Sequence, residues 1–129
     1  MTKANHTLES LLGADDTELA RIAAEDVMGW ELSKSASAGN FRLYENGRFI
    51  FYQHDWYPAT DRNQSGVLLA KCAEKGAEFK VSFARINASY RTVIWRLIGR
   101  SFWNEVPGND ARSETIAAIL AAQTLEGGI

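Results

Sequence analysis

Apolar positions along this 129-residue chain change their period several times, and each change predicts a new element. Over Asp16–Met28, Leu19, Ile22, Ala23, Asp26 and Val27 recur at i, i+3, i+4 and i+7, the spacing of one helical face. Asp15 and Asp16 stand where carboxylates meet the unpaired N–H groups of a first turn, and Gly29 suits a left-handed terminator. Trp30-Glu31-Leu32 can open a strand, whereas Ser33–Asn40 is small and polar and reads as a loop. In FRLYENGRFIFYQHDW, two aromatic-rich runs flank Asn46-Gly47, and both turn residues tolerate the positive φ that a tight hairpin needs. Phe41, Leu43 and Glu45 are expected on one face of the first strand, Arg42 and Tyr44 on the other. Phe49 and Phe51 alternate with Ile50 and Tyr52, so the second strand is expected to be covered on both faces.

Pro58 in Trp56-Tyr57-Pro58-Ala59-Thr60-Asp61 cannot continue a strand, and Thr60 or Asp61 can cap a helix running to about Lys75. Asp61 with Gln64 has capping-box spacing. Val67, Leu68, Ala70, Lys71, Cys72 and Ala73 are read as its stripe, Arg62–Gly66 as an exposed start and Gly76 as its end. Phe79, Val81 and Phe83 alternate with Lys80 and Ser82 as a half-buried strand, and Asn87-Ala88-Ser89 reads as a turn. A further strand covers Thr92–Ile98 with a turn near Gly99, and Phe102–Val106 can form one more. Pro107-Gly108-Asn109-Asp110 is a turn whose Asp110 or Asn109 caps a last helix through about Thr124, with Ile116, Ile119, Leu120 and Gln123 as its main face.

Amphipathic helices need an apolar sheet face to cover, which makes the expected fold α+β. The expected order is α-β-β-α-β-β-α, an antiparallel sheet with a hairpin packed against about three helices. No repeat, low-complexity tract or Pro-rich linker divides the chain, so residues 1–129 read as a single domain with about 1–14 and 126–129 flexible. A chain of this size buries enough surface to fold without a disulfide or metal, and its lone cysteine, Cys72, allows no internal disulfide. The polar start, MTKANHTLESLLGADD, reads as neither a signal peptide nor a membrane span, and the longest apolar stretch, Thr115–Ala122, falls far short of the ~20 residues that a bilayer requires. With one thiol and no leader, the expected location is the cytoplasm.

Charge is unevenly distributed, although the net charge is only −2. Up to Glu31 two basic residues face seven acids; from Leu32 to Arg100 eleven face five; after Arg100 one faces four. Thirteen of the fourteen aromatic residues fall between Phe41 and Trp103. Acidic aliphatic ends therefore flank a basic, aromatic middle.

Two motifs in this order carry a resemblance. Val27-Met28-Gly29-Trp30 ends the first helix, and Trp56-Tyr57-Pro58-Ala59-Thr60-Asp61 opens the second; Ala111–Leu125 is an Ala/Ile-rich final helix. In this arrangement, spanning about Leu19 to Leu125, the chain resembles the phage ABA sandwich domain family, whose pattern is a helix ending in MGW, a PSTD helix start, a strand pair and a last helix. Ala59 stands where the family has Ser, and Arg62–Gly66 is more polar than the family's helix start. The resemblance implies a fold and a phage or prophage setting in a bacterial host cell. The family has no assigned biochemical activity, so it implies no catalytic residues.

Candidate chemistry is sparse. His6, His54 and Cys72 lack metal-ligand spacing, and His54 and Asp55 would point to opposite faces of a strand. Cys72 lies mid-stripe in a helix, where a thiol behaves as a small hydrophobe. Asp15/Asp16 and Glu25/Asp26 fit caps and solvated helix faces, and no Gly-rich phosphate loop is present. Trp30 and Trp56 sit at element junctions, where large rings plug gaps. The expectation is therefore no catalytic, metal-binding or cofactor-binding residues, and no enzyme. What stands out is Phe79–Asn104, which holds no acid: Arg85, Tyr90, Arg91, Arg96 and Arg100 form the candidate interaction surface, interleaved with Trp95, Phe102 and Trp103. Charge balance favours arginines paired with the acidic helices around an aromatic core. The surface would otherwise serve a protein partner (a phage component, a host or defence factor, or a second copy) or, as the alternative, nucleic acid across residues 80–103 through stacking and phosphate contacts. No membrane role is expected.

Overall fold

The computed structural model describes residues 6–34, 41–83, 91–108 and 110–126. In chain order they form α1 (Leu8–Leu12), α2 (Asp16–Ile22) continuing as a π-helical turn (Ala23–Val27), β1 (Glu31–Lys34), β2 (Phe41–Glu45) and β3 (Arg48–Tyr52). A 3₁₀ turn (Gln53–Asp55), α3 (Arg62–Glu74), β4 (Ala77–Phe83), β5 (Arg91–Leu97), β6 (Asn104–Pro107) and α4 (Ala111–Glu126) follow. The fold is α+β, as the periodicities predict. Among the described residues it has four α-helices and two three-stranded antiparallel sheets, β1-β2-β3 and β4-β5-β6, where the sequence led us to expect about three helices and one sheet. Strand pairing does not cross α3, so the strands before it and after it form separate layers.

Local chemistry sets the helix ends. Asp15 Oδ1 accepts from the Glu18 N–H at 2.8 Å, Asp61 Oδ1 from the Asn63 N–H at 2.8 Å, and Asp110 Oδ1 from the Ser113 N–H at 2.9 Å. The Gln64 side chain does not close a capping box; it accepts from the Tyr57 N–H and donates to the Asp55 carbonyl, pinning the chain that enters α3. The first long helix ends in a wide turn: the Met28 N–H reaches the Ala23 carbonyl at 3.1 Å, and the Trp30 N–H folds back to Ala24 across Gly29, whose φ is 73°.

Residues 6–14, expected within a loose end, are tied down. Thr7 and Ser10 form a capping box around α1, and Leu11 is buried in the core. Arg112 donates to the Leu11, Leu12 and Ala14 carbonyls and pairs with Asp16 at 2.8 Å. Gln123 accepts from the His6 N–H and donates to its carbonyl. Such partners lie about a hundred residues away, beyond the reach of local patterning.

Asn46 (φ 51°) and Gly47 (φ 79°) close the β2–β3 hairpin. A bulge between Leu43/Tyr44 and Phe51/Phe49 leaves Ile50 extra, which shifts the alternation of β3. Phe49 and Tyr52 therefore share the outer face with Arg42 and Tyr44, and β3 is not covered on both sides as expected: Phe49 is 43% and Tyr52 46% exposed. On the inner face Leu43 is fully buried.

At the centre lies α4, which is apolar almost all round. Ile116, Ala117, Ala118, Ile119, Ala121 and Ala122 are buried, while Leu120 and Gln123, expected on its main face, are half-buried. Its small residues let α3, β5 and the π turn pack around it. In α3 the buried line is Ser65, Leu68 and Cys72; Val67, Ala70 and Ala73 of the expected stripe face outward, and Ser65 in the supposedly exposed start donates to Glu114 Oε1 at 2.6 Å. Trp56 is buried at its junction and donates from Nε1 to the Ala20 carbonyl at 2.9 Å, with Trp30 4.8 Å and Phe51 5.5 Å away between ring centroids.

Candidate interaction surface

The five residues picked from sequence end up in different situations. Arg85 and Tyr90, with the turn expected at Asn87-Ala88-Ser89, lie outside the described residues; Arg91 opens β5 opposite Phe83. Arg96 is committed within its own sheet. The register sets it opposite Glu78, its Nε 3.1 Å from Glu78 Oε1, and its guanidinium lies 4.4 Å from the centroid of the Trp103 ring. Lys80 Nζ approaches that ring to 5.0 Å. The pairing of arginines with the acidic helices, expected from the charge balance, therefore does not describe Arg96. Those acids are taken up elsewhere: Glu18 and Glu25 bond to Arg21 on their own helix, and Asp16 to Arg112. The hydrogen bond that Arg21 donates to Glu18, partly offset by burial, raises the Arg21 pKa further.

Arg100 is different. It is exposed and has no ion pair among the described residues. It sits in the β5–β6 turn, which Gly99 (φ 93°) allows and which two backbone bonds hold: Arg100 N–H to Leu97 at 3.0 Å and Ile98 N–H to Gly76 at 2.7 Å. Beside it project Ile98, 65% exposed, and Phe102, 86% exposed. Behind the turn is an open groove of about 460 Å³, lined by Trp95, Leu97, Arg100, Phe102, Asn104 and Thr124 among others. Trp95 is 6% exposed, and its indole N–H has no acceptor among the described residues, whereas its carbonyl accepts from Asn104 at 3.4 Å. The sequence reading set Phe102 among the interleaved aromatics but placed Ile98 only in the strand, since alternation around a strand end does not say which side chains the turn turns outward.

A second surface escaped the sequence reading. On the outer face of the β1-β2-β3 sheet, ring centroids follow one another from Tyr44 to Phe49 (5.9 Å), Phe49 to Tyr52 (4.7 Å) and Tyr52 to His54 (5.5 Å, stacked). Arg42 lies 5.8 Å over Tyr52. The bulge assembles this row, and a bulge leaves no mark in simple alternation.

The remaining reactive groups are scattered. Cys72 is buried in α3 with Sγ 3.4 Å from the Ala118 carbonyl, and burial pushes its thiol up to about 11, partly countered by Lys75. His54 is exposed in a 3₁₀ turn rather than a strand, which brings its Nε2 within 3.6 Å of Asp55 instead of on the opposite face. His6 Nε2 lies 3.4 Å from Asp26, a residue read as part of the first helix's apolar face. Among the described residues no three His, Cys, Asp or Glu side chains gather where they could hold a metal, and no helix is long and apolar enough to cross a membrane. Compared with known protein families, with curated proteins and with solved structures, the chain matches none.

Proposed function

We propose that this protein works by binding another protein, without catalysis, and that the β5–β6 turn is its contact point. The observation that carries this reading is the exposure of Phe102 and Ile98 on either side of Arg100. A ring left in water on a braced turn gains free energy when a partner covers it, and aromatic and Arg side chains are the usual anchors of protein interfaces. The resemblance to phage ABA sandwich domains supports a setting in the cytoplasm of a phage-infected or lysogenic bacterial cell, with a phage component, a host or defence factor, or a second copy as partner. Nucleic acid is the weaker alternative, because Arg96 and Lys80 are occupied by Glu78 and Trp103.

Photo-crosslinking tests it. A benzophenone amino acid placed at Ile98 is expected to trap one discrete partner in phage-carrying cells, and Phe102→Ser should reduce that product about tenfold or more. An unchanged product in the Phe102→Ser protein, or labelling indistinguishable from a benzophenone at the exposed Arg48, on the hairpin of the other sheet, would overturn the reading.

A further inference from the structure

Resting on the proposal that the β5–β6 turn binds protein, we infer the chemistry of the segment it takes: an apolar side chain followed directly by a carboxylate. One charged donor at the groove, Arg100 at its rim, has no carboxylate among the described residues, while Trp95 in the wall keeps its indole N–H buried. The rest of the lining mixes apolar Leu97 and Phe102 with polar Ser101, Asn104 and Thr124, and the exposed Phe102 offers the apolar surface. A groove of about 460 Å³ is at the small end of the range of about 300–1,000 Å³ that ligand pockets span, and its openness to one side suits a short stretch of chain better than an enclosed cofactor. Among the described residues of the sheet face nearby, Arg96 is paired with Glu78, and both Arg96 and Lys80 lie on Trp103. Among the described residues a long polyanion would find one guanidinium without a carboxylate here and no continuing track, whereas a single carboxylate beside an apolar side chain matches what is left open. A carboxylate brings two oxygens to a planar guanidinium in fork geometry, which fixes direction as well as affinity.

The indole N–H of Trp95 provides the readout. In the ¹H–¹⁵N spectrum of the full chain the tryptophans give separate indole signals, and that of Trp95 is followed during titration with acetyl-Leu-Phe-Asp-Glu-amide. The expected result is a saturable shift of this signal together with the amides of residues 98–102. Acetyl-Leu-Phe-Lys-Lys-amide and acetyl-Ser-Gly-Asp-Glu-amide should each bind about tenfold or more weakly. Arg100→Gln should weaken the acidic peptide by about the same factor, while Arg48→Gln, on the hairpin of the other sheet, leaves it unchanged. Absence of a saturable shift, an equal response to the lysine peptide, or a response to oligothymidylate alone would overturn the inference. If the peptides fail while Phe102-dependent crosslinking persists, the partner chemistry is wrong and the contact point stands; if crosslinking also ignores Phe102, both fall.

Discussion

Cys72 shows how a residue's surroundings, rather than its type, decide its chemistry. Its sulfur lies in the α3–α4 contact, and burial holds the thiol protonated, with its pKa at about 11 against an ordinary value of 9.0. Because the unfolded chain gives up this proton more readily, stability should be unaffected below about pH 9 and fall by about 2–3 kcal/mol as pH rises to 11. Thermal unfolding followed between pH 7 and 11 checks this: Cys72→Ala should flatten the alkaline limb, and an equally steep limb in that variant would place the effect elsewhere. Asp110 behaves in the opposite sense. Burial raises its pKa, but the hydrogen bonds from Ser113 outweigh this and bring it below the usual carboxylate range, so its contribution to capping α4 is lost only in acid. At this scale much was legible in sequence, because caps such as Asp15, Asp61 and Asp110 act within three residues of themselves. Ser65 was not legible: its partner, Glu114, lies 49 residues away.

Among the elements, α1 depends most on borrowed support. Five residues form too short a helix to persist alone, so its order comes from Leu11 in the core, the Gln123 clamp on His6 and the three carbonyls held by Arg112. Arg112→Ala should therefore raise amide hydrogen exchange across residues 8–14 about tenfold or more while the α4 amides stay protected, since losing bonds to a charged donor costs about 1.5–3 kcal/mol. Exchange that rises equally in β4 and β5 would mean that Arg112 supports the whole fold instead. The hairpin marks the limit of element reading. Asn46-Gly47 is a local signal and was readable, but the bulge at Ile50 arises from how two strands fit a core, so the outward aromatic row from Tyr44 to His54 was hidden from a two-residue period.

On the scale of the whole molecule, the two sheets are joined through different contacts. The β4-β5-β6 sheet packs directly on α4 through β5 and β6, whereas β1-β2-β3 meets the helices through Leu43 and the cluster of Trp30, Phe51 and Trp56. Trp56 bonds that cluster to the Ala20 carbonyl, so Trp56→Ala should cost about 3–5 kcal/mol in urea unfolding. The same variant should release the first sheet at lower urea than the second, read as separate exchange protection of the two; loss of both together would show one cooperative unit. The fold class could be read from the order of periodicities, whereas the division into two sheets is a question of strand pairing, which periodicity does not address. For the candidate surface, composition singled out the basic, aromatic middle, and the register then separated its members: Arg96 faces Glu78, and Arg100, four residues on, has passed the end of the ladder.

The wide turn at Ala23–Val27 makes segment length a mechanical setting. Its backbone bonds span five residues, so the coil carries one residue more than a regular α-helix would fit between the same two points. Excising that surplus would let the coil wind normally between the same two points and keep Trp30 beside Trp56. A second excision, with no surplus left to absorb it, would swing everything beyond it by about 100°, and the first sheet would lose its anchor without any change to its own sequence.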